Sequence, residues 1–588
     1  MPKGGGGVRT LSLESQVKEE RPMVPNNPPP RPASCSPTRL VFPLFAVALV
    51  LFSAGAAMAL ARWLKQPEDK PSEKAVRFPA GAFKGWDKPD LVLAFTGQQM
   101  GYLLPCGCSK PQVGGLERRY NLIEMMRSAG WPVVPVDLGD VPQYQGPAGL
   151  PNQQAIIKYR YSMMAMKKMG YAGVGLGEVE ARLGLFSVLG EYALNHPEPR
   201  VLAGNLIDAE KNYPDMTRPW WYADVKSADL RVGVTAVVGP QTASRIKELT
   251  HGDKKVRFAE SSDSLKDIGK QMAKGGVSLP ILLYQGPLTR DPMKAATEAL
   301  ACAKAHPEFP IVAHLSDIDE PMTRPTVAQS PSGKKSWVIS AGRRGKFVVC
   351  IGVWKTGKKD PPFDFKYERV EMTEDFLTPE GQEKGHPITA LMEQYTRELK
   401  DNNYLERYGQ GRHAIQYLPE VKGLEKPGKP TYVGSAACKS CHKKEHAIWE
   451  ASAHSHAYQT LVDATRPGNR QYDPECIVCH TVGFGFESGF VTAAKTPKLK
   501  DVGCESCHGP SSLHVANKDD EEWQKRINPW KYLPPGKRED AIDQMCQKCH
   551  DMDNDVHWVD KGDGKGGGFK RKWPLVEHYH STPWPKKK

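Results

Sequence analysis

The chain has 588 residues, enough for two to four globular units at about 100–200 residues each, which excludes a single small module. With 39% hydrophobic and 25% charged residues and a formal charge of +13, neither a wholly disordered chain nor a polytopic membrane protein fits. Eight of the 13 cysteines fall after residue 437, so the composition is two-part.

Residues 1–39 are polar and Pro-rich, with PNNPPPRPASCSPTR among them, and predict a disordered cytoplasmic segment that cannot bury a core. Residues 40–62 predict a transmembrane anchor. The uncharged run from Leu40 to Ala61 has 22 residues, and at about 1.5 Å per helical residue it spans a hydrocarbon layer of about 30 Å. The excess of Lys and Arg ahead of it predicts a cytoplasmic N-terminus and export of everything downstream. The expectation is a single-pass protein of the inner (cytoplasmic) membrane with its bulk in the periplasm. A cleaved signal peptide is the alternative, because Ala59-Leu60-Ala61 resembles a small-residue cleavage site; the long leading region and the length of the apolar run favour the anchor. Residues 63–86, containing KQPEDKPSEK, read as a flexible linker.

Residues 87–375 alternate β-like runs (LVLAFTG, VPVDLG, LRVGVTAVVG, LPILLYQG, FPIVAHL, KSWVISAG, KFVVCIGVW) with helical stretches such as LERRYNLIEMMRSAG and MKAATEALACAKA. This predicts an α/β (α+β) domain. The stretch FTGQQMGYLLPCGCSKPQVGGLERRYNLIEMMRS, then VDLGD, MGYAGVGLGEVE and SAGRRGKFVVCIGVW, resembles in order and spacing the exported 5'-nucleotidase branch of the calcineurin-like metallophosphatases. The resemblance implies a two-metal site built from an Asp-x-His, a Gly-Asp, a Gly-Asn-His and further histidines. In this chain Gln98 and Met100 stand at the first pair, and Gly139-Asp140 remains. Gly177-Glu178-Val179 replaces Gly-Asn-His, Tyr284-Gln285 replaces a Ser-His, and His314 is the nearby imidazole. One carboxylate cannot hold two ions about 3.5–4 Å apart. The expectation is therefore a degenerate metallophosphatase-like scaffold or binding domain without phosphoesterase activity. Its Cys106-Gly-Cys108 reads either as a redox loop or as a structural turn with one thiol bridged to Cys302 or Cys350, since direct closure of the pair would be strained.

Residues 376–430 predict a helical connector. HPITALMEQYTRELKDNNYLERY puts Ile388, Leu391, Met392, Tyr395 and Leu399 on one apolar face suited to docking the two large domains.

Residues 431–588 hold the sharpest signal. Cys438-Lys-Ser-Cys441-His442, Cys476-Ile-Val-Cys479-His480, Cys504-Glu-Ser-Cys507-His508 and Cys546-Gln-Lys-Cys549-His550 are each Cys-x-x-Cys-His and use all eight C-terminal cysteines. Two thiols at this spacing form thioethers to one porphyrin, and the adjacent imidazole reaches the iron. Structural zinc is the competing reading, but a zinc ribbon gives no reason for His to follow every pair. The expectation is four covalently bound haem c, with His442, His480, His508 and His550 as proximal ligands. His446, His454, His456, His514, His557, His578 and His580 compete for the distal positions. About 40 residues per macrocycle is too few for a conventional core, so the haems are expected to form it, inside a mainly α fold.

YVGSAACKSCH, WEASAHSHAYQTL, DPECIVCHTVGFGFESGF, VGCESCHGPSSLHV and CQKCHDMD resemble the tetrahaem cytochrome c-554 family over about the last quarter of the chain. The resemblance implies periplasmic electron transfer, with His454 or His456, His514 and His578 as candidate distal ligands and His580 competing with His578. The resulting expectation is a multidomain, membrane-anchored tetrahaem cytochrome that exchanges electrons with redox partner proteins, with a multiprotein complex as a further partner class. The alternative from another class is a multihaem oxidoreductase acting on a small nitrogen or oxygen compound at a five-coordinate haem. A third is a binding protein whose haems report ligand occupancy. Nucleic acid is excluded as a partner because the basic residues are scattered, apart from the tail, and the compartment is wrong.

Overall fold

The computed structural model describes residues 78–551 except 80, 106–110 and 290, together with 554, 555 and 558. The expected anchor at 40–62, Cys106, Cys108, His557, His578 and His580 lie outside the described residues. Among the described residues no helix is long and apolar enough to cross a membrane.

The middle domain is built from thirteen strands: β1 (Leu91–Thr96), β2 (Val133–Asp137), β3 (Gly173–Gly175), β4 (Arg200–Leu202), β5 (Thr217–Arg218), β6 (Trp220–Val225), β7 (Leu230–Val238), β8 (Leu279–Gln285), β9 (Ile311–His314), β10 (Thr326–Gln329), β11 (Lys335–Ser340), β12 (Phe347–Lys355) and β13 (Phe363–Glu371). They form a seven-stranded sheet in the order β13-β12-β1-β2-β3-β4-β5 and a six-stranded sheet in the order β10-β11-β9-β8-β7-β6. In the seven-stranded sheet β1 to β5 are parallel and β12 and β13 add antiparallel strands on one side, whereas in the six-stranded sheet parallel central strands are flanked by antiparallel β10 and β6.

Alternation along the strands stacks four layers. Leu91, Leu93 and Phe95 of β1 point between the sheets, where they meet Ile281, Leu283, Val349 and Ile351. Val92 and Ala94 point outward, under the Leu116–Ser128 and Ala155–Met169 helices. On the far side Leu282 and Tyr284 face the Ser261–Lys274 and Pro292–Ala305 helices. Strands buried on both faces read as unbroken apolar runs, which is why LVLAFTG and LPILLYQG are recognisable in the sequence. The short strands β3 to β5 and the half-exposed β6, β10 and β13 carry no such run and are not apparent there.

The Pro387–Asp401 helix buries Ile388, Leu391, Met392, Tyr395 and Leu399, the face the sequence predicts. These side chains belong to the middle domain's own core, beside Met166 and Met169, so the helix extends that domain as well as joining it to the next.

From residue 431 the chain forms short helices and single 3₁₀ turns, among them Lys443–Glu450, Ala457–Val462, Pro474–His480, Cys504–His508 and Pro535–Cys546. The expectation that haem alone supplies the core needs correction. Leu461, Ile477, Val482, Phe484, Phe490 and Leu499 make an apolar cluster that also takes in Leu150 of the middle domain and Leu405 and Tyr408 of the connector. The segment is part of a continuous body with the middle domain.

Candidate functional site

The Cys-x-x-Cys-His motifs sit at helix ends. Cys476, Cys479 and His480 lie on the Pro474–His480 helix, which has Asp473 as its N-cap and proline in its first turn. Cys504, Cys507 and His508 lie on Cys504–His508, His442 caps Lys443–Glu450, and Cys546 closes Pro535–Cys546. One turn of helix between the cysteines places both thiols on one face. The motifs then converge in pairs. The Cys438 and Cys504 thiols touch, joining the first motif to the third, and those of Cys479 and Cys549 touch, joining the second to the fourth.

Three of the four motif imidazoles are oriented through one ring nitrogen. Nδ1 of His480 is 2.6 Å from the Ala457 carbonyl, Nδ1 of His508 is 2.7 Å from the Ile527 carbonyl, and Nδ1 of His550 is 2.9 Å from Oδ2 of Asp555. Donation from Nδ1 to an acceptor fixes the tautomer with a lone pair on Nε2, the arrangement a metal-ligating histidine adopts. Burial lowers the pKa of His454, His480 and His514, which favours the neutral ring.

Two imidazole pairs face each other across short gaps. Ring centroids are 6.3 Å apart for His442 and His514 and 6.1 Å apart for His454 and His550. Two rings each donating a nitrogen at about 2 Å to one ion from opposite sides stand about 6 Å apart, so the spacing suits a shared iron. Nδ1 of His514 is buried and makes no hydrogen bond. Of the two neighbours His454 and His456, it is His454 that meets a motif histidine; both lie on the 3₁₀ turn Ala453–His456, not on a regular helix. His446 is buried edge-on against Trp449. The donor set thus fits haem c: paired thiols, an adjacent imidazole with an oriented Nδ1, and facing imidazoles for two of the four.

A residue inside the third motif escapes sequence reasoning. The carboxylate of Glu505 is 2% exposed and accepts from the backbone N–H of Val433 at 2.9 Å, Gly434 at 2.7 Å and Ser511 at 2.9 Å. It fastens the segment entering the first motif to the third. Its sequence signal is weak, since the two x positions tolerate most residues.

The second motif is held by the middle domain. Asp473 accepts from Nε2 of Gln154 at 3.0 Å and from the Tyr395 hydroxyl at 3.4 Å, and the Tyr408 hydroxyl donates to Oε1 of Gln154 at 3.0 Å. Glu475 is paired with Lys158 of the Ala155–Met169 helix. Nearby, Arg466 bridges Glu117 at 2.8 Å and Glu383 at 2.9 Å.

The degenerate site lies at the carboxyl ends of β1, β2, β3, β8 and β9, where open α/β sheets bind ligands. Gln98, Met100 and Asp140 there hold left-handed backbone, with φ of 49°, 50° and 52°. Gly139, at φ 103°, is required: a Cβ would lie 2.5 Å from the Gly175 carbonyl. The count of a single carboxylate needs correction, because the fold also brings Asp137, Glu178 and Glu180 to this end. Each is engaged within the protein. Thr96 Oγ1 donates to Asp137 at 2.6 Å, and Arg119 lies buried beside the same carboxylate. Glu180 accepts from the N–H groups of Gly177, Asp140 and Val141, Asp140 accepts from Val179 N–H at 2.9 Å, and Glu178 pairs with Arg245 at 2.9 Å. Gln98 accepts from Ser316 N–H at 3.0 Å, and Gln285 donates to the Leu138 carbonyl. Among the described residues no group of three His, Cys, Asp or Glu side chains is placed to hold a metal ion. Oδ2 of Asp140, Oε1 of Glu178 and Nε2 of His314 are buried without a hydrogen-bond partner, but with two amides and a methionine in place of ligands the set does not supply a two-metal centre.

Comparison with known proteins finds relatives of the haem segment and distant structural neighbours. The family model "Cytochrome c554 and c-prime" matches residues 437–509. Cytochrome c-554 of Nitrosomonas europaea is 29% identical over 134 residues, covering 20% of this chain; the chain spans 57% of the length of that relative. Solved structures similar to the chain include a 5'-nucleotidase precursor from Thermus thermophilus, at 19% identity over 54% of this chain and 61% of that one, TM-score 0.41. They also include a calcineurin-like phosphoesterase from Bacillus subtilis, at 16% identity over 52% and 97%, TM-score 0.40. The C-terminal segment is therefore similar to the cytochrome c554 and c-prime family, whose members imply covalently bound haem c.

Proposed function

We propose that the protein is a tetrahaem c-type cytochrome that passes electrons between redox partner proteins outside the cytoplasm, anchored in the inner membrane by residues 40–62 and working there within a multiprotein complex. The middle domain is a scaffold without phosphoesterase activity. The observation that carries this reading is the pairing of His442 with His514 and of His454 with His550 at 6.3 Å and 6.1 Å. Imidazole on both faces suits electron transfer, because it leaves no open position for a substrate.

Haem c held at these motifs supplies a one-electron couple at each iron. The chain's own residues do the rest. The cysteines fix each ring covalently, and Ala457, Ile527 and Asp555 hold the proximal imidazoles in orientation. The contacts between Cys438 and Cys504 and between Cys479 and Cys549 bring the attachment points close, so that an electron has short steps to take. Trp530 packs on His508 with centroids 5.3 Å apart, and Trp558 stacks on His550 at 4.4 Å, covering part of each ring.

The test is the purified full-length holoprotein. Intact mass is expected to show four haems, and electron paramagnetic resonance to show low-spin signals from the two paired sites. Fewer than four haems would overturn the count. A dominant high-spin iron that binds a small nitrogen or oxygen compound would favour the oxidoreductase reading over the carrier.

A further inference from the structure

The contact between the middle domain and the haem segment has its charged centre beside the second Cys-x-x-Cys-His. Glu475 immediately precedes Cys476 and is paired with Lys158; their side chains keep only 15% and 11% exposure. Gln143 hydrogen-bonds the same carboxylate, and Asp473 approaches it closely enough to raise its pKa, to which burial contributes most. The phenols of Tyr395 and Tyr408 lie near both carboxylates, and burial pushes both phenols well up.

The partners of Glu475 border the degenerate site: Lys158 is on the Ala155–Met169 helix, which packs against one of its loops. Gln143 is on the loop that leaves Asp140, and Gly101 follows Met100. A Cβ at Gly101 would lie 2.8 Å from Cβ of Gln143 and 3.2 Å from Cδ of Lys158. Backbone bonds from Met100 N–H to the Asp140 carbonyl and from Gly101 N–H to the Val141 carbonyl lock these two loops together. The Ala155–Met169 helix, packed against the loops that follow β1 and β2, thus presents a lysine to the haem-bearing helix.

We propose that Lys158 and Glu475 set the reduction potential of the haem attached at Cys476 and Cys479, so that the middle domain is a working part of the redox unit. The proposal rests on the reading that this motif carries haem. Reduction adds one electron to the iron, and a nearby fixed charge biases that step. With Lys158 neutralised, the carboxylates of Glu475 and Asp473 are uncompensated and favour the oxidised iron. With Glu475 neutralised, the ammonium is uncompensated and favours the reduced iron. One uncompensated charge near the ring is expected to alter the redox equilibrium about tenfold, which for a one-electron couple is about 59 mV. Both residues are positioning residues that act on the haem through space.

The experiment is a spectroelectrochemical titration of full-length holoprotein, resolved into its haem components. The second haem is identified with a Cys476→Ser/Cys479→Ser variant. Lys158→Met is expected to lower that component's potential by the equivalent of about tenfold in its redox equilibrium and Glu475→Gln to raise it by a similar amount, whereas Lys158→Arg, which keeps the charge, leaves it near wild type. Loosened packing would move Lys158→Met and Glu475→Gln in the same direction. A shared direction, or shifts under twofold, would overturn the proposal. Should the single variants not load haem, the exchanged pair Lys158→Glu/Glu475→Lys restores neutrality and puts the ammonium next to Cys476; it must raise the component, and a fall or no change overturns the proposal. Intact mass separates the two levels of inference. Absence of haem at the second motif overturns the reading beneath the proposal, while haem present with unmoved potentials overturns the proposal alone.

Discussion

The imidazoles of His454 and His550 face each other with centroids 6.1 Å apart, and Nδ1 of His550 is held by Asp555 at 2.9 Å. His550 is thereby turned so that Nε2 is the free nitrogen, and His454, kept neutral by burial and then by the neighbouring ring, stands opposite. His454→Ala in the holoprotein is expected to convert one low-spin haem to high spin in the magnetic resonance spectrum. His456→Ala is expected to leave the spectrum unchanged. Equal effects from both, or none from either, would rule out the assignment.

The sequence could not choose between these two histidines because the argument from periodicity needs a regular helix, and Ala453–His456 is a 3₁₀ turn. The attachment motifs were legible because thioether chemistry demands a fixed local spacing. Glu505 was illegible for the opposite reason: its partners are backbone N–H groups of Val433, Gly434 and Ser511, and backbone donors leave no mark on residue identity. The strands of the two sheets could be read from doubly buried apolar runs, yet which carboxylates would gather beyond their ends could not. Glu178 and Glu180 reach the degenerate site only through the turn between β3 and the Glu178–Arg182 helix.

Glu505 should be the costliest single side chain of the haem segment to remove. Glu505→Ala leaves three N–H groups without their acceptor, and each buried unsatisfied donor costs about 1–3 kcal/mol. The expected loss is about 3–5 kcal/mol in denaturant unfolding of the holoprotein. Glu505→Gln keeps one acceptor oxygen and should fall between. A loss below about 1 kcal/mol for the alanine variant would show that water replaces the carboxylate.

The degenerate site should hydrolyse no phosphate ester. Each of its carboxylates keeps at least one bond to Thr96, Arg245 or a backbone N–H, and glutamines bonded to the backbone, Gln98 and Gln285, stand where metal ligands are needed. Assays of the full-length protein with a generic aryl phosphate and added Mn²⁺, Zn²⁺ or Mg²⁺ are expected to stay at background. Metal-dependent turnover that disappears in Asp140→Ala would refute this.

The same carboxylates should make the protein's stability depend on pH in a definite direction. Burial raises the pKa of both Asp140 and Glu180 well above the usual carboxylate range, and the charge of each neighbouring carboxylate adds to the rise. A carboxyl group whose pKa is higher folded than unfolded binds its proton more tightly in the folded state, so its contribution is favourable below the unfolded value of about 4 and is lost as pH rises through the folded value. Stability of the middle domain should therefore decline from about pH 5 to about pH 8. Asp140→Asn can still accept from Val179 N–H through its amide oxygen but carries no ionisable group. It should flatten the decline and, at pH 8, gain about 2 kcal/mol over the wild type relative to the difference at pH 5. Urea unfolding of both proteins at the two pH values, followed by intrinsic fluorescence, measures this directly. Parallel pH profiles for Asp140→Asn and wild type would show that Asp140 is ionised in the folded protein at no cost, and that its loop admits water.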